Sequence, residues 1–412
     1  MQKYDVACIG AGIASLTTAA LLSKRGKAVC LLDPADGAGG CVSAVEIGDF
    51  RFTAGPAITY GFEPGGALHK LCVDLDLSTG ATTSFPGYQV VMRDHRITIS
   101  GDPRETLDEL IREFPAGRQG LTRLYSDVLN RAERGSKSKL ASWLLRNRTA
   151  AAYLRSFRLA NDLTAFFDVQ TRYFFGTSLQ HVPLSLFVRM LSTAPHFLPG
   201  GFTRLADQLI SIVQQHNGEW FHREPFPELQ FRNSRISCIK TSRGLIEPRS
   251  VILNVPGDQH ETTRFFGIRN DVVPVGMLSN VLCLDDEMKS EDYYSLSVSS
   301  NEDKMAAPGG MRSLTAVFPH ENVTSGTTAS LLDKIAMVVP FFRENLVSSA
   351  ELDHQTRWFE LSASARVRST EYRPGRAMLT SSAVNNLRII PDSVRLMVPA
   401  VFTAQIVAGK LK

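Results

Sequence analysis

The chain has 412 residues, of which 43% are hydrophobic and 21% charged, and a formal net charge of +4. These fractions belong to a globular protein, and the length exceeds one ordinary core, so two domains are predicted. Acidic and basic residues are interspersed, which gives no footing for a nucleic-acid partner but suits an anionic cofactor or an anionic membrane surface. Six cysteines are scattered without a C-x-x-C pair, so no disulfide framework or zinc site is expected and a reducing, cytoplasmic compartment is the default. There is no run of 18 apolar residues to predict a membrane span. A first strand beginning near residue 4 leaves no room for a cleavable signal peptide.

The first element is an apolar strand over Asp5–Ile9. It is followed by Gly10-Ala11-Gly12, an Ala/Leu-rich helix from Ile13, Gly26, and a second apolar strand, Ala28–Leu32, that ends on Asp33. In a βαβ dinucleotide site each part has a task. Gly10 permits the tight turn, and Gly12 lets the backbone approach a pyrophosphate. The helix N-terminus at Ile13 and Ala14 presents free N–H groups, and Asp33 stands where a carboxylate accepts ribose hydroxyls. The third motif position is Ser15, small enough for close helix–strand packing. Next, Pro34 to Cys41 carries Gly37, Gly39 and Gly40, a loop whose backbone approaches something closely. An alternating segment, Val42–Thr53, predicts a hairpin with its turn at Gly48-Asp49, and Gly55-Pro56 makes a sharp exit.

Residues 4–56 resemble the FAD-binding region of the flavin amine oxidase and phytoene desaturase superfamily. That family has a G-x-G-x-x-G turn, a ribose acid, a G-G-R loop and a following Gly-Pro segment. Gly10, Gly12, Asp33, Gly39, Gly40, Gly55 and Pro56 match; Cys41 stands where the family usually has Arg, and Thr53 at or beside the usual acid.

Residues 57–200 read as mostly helical. Helical spacing is clear over Glu105–Phe114 and Leu121–Ala132, while Trp143–Leu154 is basic and amphipathic, compatible with a solvated face or a peripheral membrane contact. Leu163–Met190 is rich in Phe and Leu, which reads as a buried helix pair or as the wall of an apolar substrate tunnel. Pro199-Gly200-Gly201 and the helix Phe202–Gln214 resemble the P-x-G-G segment of the phytoene desaturase branch. Strand-like segments then run from Leu229 to Ile239 and from Ser250 to Pro256. Runs within 272–318 predict an antiparallel sheet over the substrate site. Leu331–Phe342 reads as a helix, followed by Trp358–Val367. The last strand, Leu387–Ile390, with Asp392 and Val394 and a helix from about Pro399, resembles the family's closing motif. Pro391 replaces its glycine, and Leu396-Met397-Val398 replaces its glycine-rich turn.

The resemblance implies an α/β fold: a Rossmann-like FAD-binding domain (1–75, 197–268 and 375–412) with a mixed helical and antiparallel-sheet substrate domain (76–196 and 269–374). It implies FAD held by Gly10, Gly12, Ile13, Ala14, Ser15, Asp33, Pro34, Gly39, Gly40, Cys41, Gly55, Pro56, Pro256, Asp392 and Val394. It further implies hydride abstraction from a small, apolar or partly apolar substrate. Amine oxidation and modification of a protein partner are variants. The same fold serves Rab GDP-dissociation inhibitors, which bind a partner protein and its lipid without flavin chemistry. A flavin carries its own redox chemistry, so no catalytic side chain is assigned. His69, His181, His196 and His222 are read as structural or surface histidines rather than bases, and the spacing of the nine His supports no metal site.

Overall fold

A computed structural model describes residues 1–53, 55, 58–78, 87–135, 148–198, 201–256, 262–284, 293–300, 306–318, 328–351, 386–392, 404–405 and 407–411. Two seven-stranded sheets organise them. The first begins with β1 (Gln2–Ile9), which runs parallel to β2 (Val29–Leu32). Beyond β2 lies β9 (Glu219–Phe221), and on the other side of β1 lies the long β12 (Gly244–Pro256), both parallel. One edge of β12 is shared in succession. Its amino end pairs antiparallel with β11 (Arg235–Thr241), which forms a hairpin with β10 (Glu228–Arg232). Its carboxyl end pairs parallel with β18 (Leu387–Asp392). Val6 and Cys8 of β1 face one core, Ala7 and Ile9 the other. The strand is thus apolar throughout, as a parallel strand covered on both faces must be.

Helix α1 (Ile13–Lys24) crosses between β1 and β2 and is buried from Ile13 to Ser23. It lies between the sheet and the later helix α8 (Thr203–Gln215). That burial explains the absence of an amphipathic pattern in its Ala/Leu/Thr sequence. Helix α2 (Ala67–Leu75) adds Leu68, Leu71 and Leu75 to the same core. The hairpin β3 (Ala44–Ile47)–β4 (Phe50–Thr53) turns at Gly48, as its alternation predicts.

The second sheet runs β17-β13-β16-β15-β14-β6-β7. Its strands are β6 (Tyr88–Met92), β7 (His95–Ile99), β13 (Thr262–Arg269), β14 (Asn280–Cys283), β15 (Tyr294–Val298), β16 (Met311–Phe318) and β17 (Leu346–Glu351). All neighbours are antiparallel except β6 and β14, which are parallel. The sheet is therefore mixed rather than wholly antiparallel, and the β6–β7 hairpin interrupts a stretch expected to be mostly helical. Period-2 alternation divides the faces. Tyr88, Val90, Met92 and Leu282 join the helical core; Val281, Cys283, Leu314 and Ala316 join the core under α9 (Thr328–Val338).

The helical core holds α3 (Pro103–Glu113), α4 (Arg118–Gly135), α5 (Ala150–Leu154), α6 (Asn161–Phe175) and α7 (Leu184–Ser192). A two-stranded ribbon, β5 (Ile58–Thr59) with β8 (His196–Phe197), stands where the two cores meet. Ile58, Tyr60 and Phe197 pack on the helical core, while Phe62 and Leu198 pack on the core of the first sheet. Residues 143–147 of the basic segment Trp143–Leu154, all of Trp358–Val367, and Pro199 and Gly200 lie outside the described residues. Among the described residues no helix is long and apolar enough to cross a membrane, and no cluster of His, Cys, Asp and Glu could hold a metal ion.

Candidate functional site

The candidate site forms where β1 turns into α1. Gly10 has φ +92°, a left-handed conformation that a β-carbon would strain, and its N–H donates to the Leu32 carbonyl at 2.8 Å. Gly12 is the N-cap of α1, extended at φ −70° and ψ 166°, and no side chain caps the helix. The first intrahelical bond runs from Leu16 N–H to Gly12 C=O. The N–H groups of Ile13, Ala14 and Ser15 thus have no acceptor within the helix, and no acidic residue stands in the first turn. The positive end of the helix dipole is left for an anion. Ser15 is fully buried, and its Oγ has no hydrogen-bond partner among the described residues. A buried hydroxyl left unpaired costs about 1–3 kcal/mol.

Asp33 closes the turn from the side of β2. Its Oδ2 accepts the Ala11 N–H at 2.6 Å and its Oδ1 accepts the Ala35 N–H at 2.8 Å, across Pro34. Burial pushes its carboxyl above the ordinary aspartate range, and the two N–H bonds pull it back. Each oxygen keeps a lone pair beyond the one used. Its backbone is fixed as well: Asp33 N–H donates to Phe221 C=O at 3.0 Å, and Glu224 N–H donates to Asp33 C=O at 2.9 Å. Beyond it, Asp36 accepts from His222 Nδ1 and Arg223 at the protein surface.

The loop after β2 returns to the turn. Gly39 N–H donates to Ala11 C=O at 2.8 Å, and Gly12 and Gly39 form a parallel bridge. Gly40-Cys41-Val42 is a single 3-10 turn. Gly55 packs directly on it: a β-carbon there would lie 2.8 Å from Val42 Cγ1 and 2.9 Å from Val42 Cα. Thr203 Oγ1 donates to Val42 C=O at 3.1 Å and ties the loop to α8. Pro256 and Asp392 are register partners at the carboxyl ends of β12 and β18. Pro56 and Val394 lie outside the described residues. The structure thus gathers residues 10–15, 33–34, 39–41 and 55 around one turn, with Pro256 and Asp392 on the same sheet.

The four histidines singled out in the sequence are not brought together. His69 lies on α2 with its backbone N–H donating to Gly61 C=O, His181 sits with Ser178, His222 with Asp36, and the His196 ring lies 5.7 Å from that of Phe62. The aromatic run Leu163–Met190 is a packed helix pair: Phe167 meets Phe166 at 5.1 Å and Phe187 at 5.7 Å, edge to face. Sequence reasoning missed a second feature. Directly after the ribbon strand β5, Tyr60 packs on Phe174 at 4.8 Å, and Tyr88 packs on the same ring at 5.5 Å. The Tyr60 hydroxyl donates to Met190 C=O at 3.0 Å and the Tyr88 hydroxyl to Gln170 Oε1 at 2.5 Å. Beside them the buried Glu63 accepts Gly61 N–H at 2.6 Å and pairs with Arg189 at 2.7 Å. The signal available in the sequence was Tyr60-Gly61-Phe62-Glu63 immediately after the Gly-Pro exit, a polar and aromatic set in an otherwise hydrophobic stretch.

The residues present fit a dinucleotide. A bare helix start without a capping side chain, three N–H groups and a carboxylate with spare lone pairs converge there. Comparison with known proteins agrees. Residues 8–75 match the family model of an NAD(P)-binding Rossmann-like domain. The chain is 38% identical over 69 residues, 17% of its length, to a 1-hydroxycarotenoid 3,4-desaturase from a Flavobacterium species. It is 25% identical over 162 residues, 36% of its length, to a carotenoid 3,4-desaturase from Haloarcula japonica. The matched stretches span 14% and 30% of those two relatives. Among solved structures, a RAB GDI from Plasmodium falciparum superposes with a TM-score of 0.70 at 11% identity, over 98% of this chain and 97% of that one. An oxidoreductase from Methanosarcina mazei gives 0.65 at 15% identity, covering 98% and 100%. Cyclohexylamine oxidase from Brevibacterium oxydans gives 0.58 at 14% identity, covering 99% and 98%. Residues 8–75 thus resemble a Rossmann-like NAD(P)-binding domain, and the chain as a whole shares its fold with RAB GDI and amine oxidase structures.

Proposed function

We propose that the chain is an FAD-dependent oxidoreductase of the phytoene desaturase type, removing hydride from an apolar or partly apolar substrate. The observation that carries this reading is the prepared turn at Gly10–Ser15. Its helix start has no cap of its own and its Ser15 hydroxyl is buried without a partner, while the chain matches two carotenoid desaturases in sequence. Bound FAD would supply the hydride acceptor. The N–H groups of Ile13, Ala14 and Ser15 would hold the pyrophosphate, Ser15 Oγ would donate to it, and the remaining lone pairs of Asp33 would accept a ribose hydroxyl. Gly55 would keep its loop close to the cofactor. The aromatic set Tyr60, Tyr88 and Phe174 would exclude water and orient an apolar chain. The test is the visible spectrum of the purified protein: flavin bands, or their recovery on reconstitution with FAD, are expected. Anaerobic bleaching by polyenes but not by amines would separate desaturation from amine oxidation.

A second reading is a non-catalytic relative that binds a lipid-bearing partner. It draws on the departures at Cys41 and Pro391 and on Asp33, whose two oxygens already serve the turn's own N–H groups. Absence of flavin after reconstitution would favour it and overturn the first.

A further inference from the structure

At the amino ends of the parallel strands, away from the Gly10 turn, lies an open cleft of about 560 Å³. Lys3, Arg232, Arg235 and Arg249 line it together with Asp5 and Glu247. The carboxylates are engaged: Asp5 Oδ2 accepts the Ala28 N–H at 3.1 Å and Glu247 pairs with Lys3 at 3.7 Å. The guanidiniums are not. Among the described residues none of the three arginines has a carboxylate partner, and Arg235 donates only to the Arg249 carbonyl, at 3.3 Å.

The local structure concentrates this charge at a cost. Arg232 and Arg235 are direct register partners across the end of the β10–β11 hairpin, and like charges placed directly opposite are destabilising. The two residues between them, Asn233 and Ser234, are both left-handed, with φ of 49° and 56°, the tight turn that brings these side chains closest. A register shift at Gln230/Phe231, one residue before Arg232, re-aims the strand end. The arrangement is also anchored. Buried Asn386 accepts the Ile236 N–H at 2.9 Å and donates to the Ile236 carbonyl at 3.0 Å and the Arg249 carbonyl at 3.5 Å. It thereby pins the hairpin to β12 at the seam where β18 takes over. Three exposed guanidiniums thus line one cleft without a carboxylate partner among the described residues, an arrangement that works against its own electrostatics.

We propose that this cleft is a second binding site, taking a phosphate-bearing ligand through Arg232, Arg235 and Arg249. Planar guanidinium forks match the paired oxygens of a phosphoryl group. The site lies roughly 20 Å from Gly10, five to seven residues back along β1 at about 3.3 Å each, so it does not overlap the dinucleotide turn. The phosphate can come from a soluble compound or from a lipid headgroup. The experiment measures binding of inorganic pyrophosphate, and of phosphatidylglycerol against phosphatidylcholine vesicles, to full-length protein saturated with FAD. At least one phosphate probe should bind to the native chain and at least tenfold more weakly to the triple variant R232Q/R235Q/R249Q. Pyrophosphate alone would assign a soluble ligand, and anionic vesicles alone a headgroup. Glu247→Gln, which removes one negative charge from the lining of the cleft, should tighten the same probe about threefold and serves if the triple variant does not fold. Equal binding by native and triple-variant protein, no binding of either probe, or no tightening by Glu247→Gln would overturn the proposal.

Discussion

The two sheets solve different problems with different parts of the chain. In the first, the site is made of backbone: a left-handed glycine, a bare helix start, a parallel bridge between Gly12 and Gly39, and one carboxylate that organises N–H groups. Against the second sheet the packing is instead made of side chains: Tyr60 after β5, Tyr88 of β6, and Phe174 and Gln170 of α6 are buried and held by hydroxyl bonds and edge-to-face rings. Backbone donors recognise what all dinucleotides share, their phosphates. Side chains recognise what differs among substrates. A chain can therefore keep the first half of a common fold while the second half changes its chemistry.

Four substitutions would break or sharpen that contrast. The largest effect is expected from Phe187→Ala in α7, which removes a fully buried ring from the helical core. It should cost about 3–5 kcal/mol of stability, and equilibrium denaturation with and without FAD would measure it. If the cores are energetically separate, flavin affinity of the folded fraction stays unchanged. Next comes Gly12→Asp. Asp is a favoured N-cap in the extended conformation Gly12 adopts, so the apo protein should melt at the same or a higher temperature. Its charge would face the pyrophosphate and weaken FAD binding at least 100-fold, about 2.8 kcal/mol. A parallel loss of stability and affinity would show that the turn is merely structural.

Asp33→Asn should cost about 1–3 kcal/mol, because an amide nitrogen would confront one of the two N–H donors at Ala11 and Ala35. It also tests a pH dependence. With the folded carboxyl raised by burial, the folded state holds the proton longer than the unfolded state. Stability therefore falls as pH rises from the ordinary aspartate value through the folded one. The Asn variant should lack that slope in urea titrations across mildly acidic pH. The smallest effect, and one of opposite sign, belongs to Ser15→Ala. Removing an unpaired buried hydroxyl should stabilise the apo protein by about 1 kcal/mol while lowering FAD affinity about fivefold, by loss of one hydrogen bond. Loss of apo stability would show that Ser15 already has a partner.

The first half of this contrast was readable in the sequence because its determinants are local. Gly10, Gly12, the alternation of the β3–β4 hairpin and the acid closing β2 lie within about fifty residues and carry their spacing with them. Even there Asp33 held a surprise: spacing places a carboxylate beside a ribose, but only the folded loop reveals that it first binds Ala11 and Ala35. The second half was less legible because its pairings are distant. Strand β13 went unread, since its partners Met311–Phe318 and Leu346–Glu351 lie far along the chain. The β6–β7 hairpin was submerged in a stretch of helical neighbours. The parallel β6–β14 pairing joins residues nearly 200 positions apart, and no local pattern encodes it. The Phe-rich run 163–190 fits a buried helix pair or a tunnel wall equally in sequence, and in the fold its rings pack on one another.

The Asp33 clamp has one more implication. A loop that must be ordered by its ligand sets aside part of the binding energy for that ordering. Here the Ala11, Gly39 and Ala35 amides are bonded by the protein itself. The cradle is therefore finished at the end of folding, and on the proposed function cofactor loading would be a later, separable event. Amide exchange at Ala11 should be slow with or without FAD, so that the unloaded chain persists as a folded pool, filled or emptied by cofactor supply.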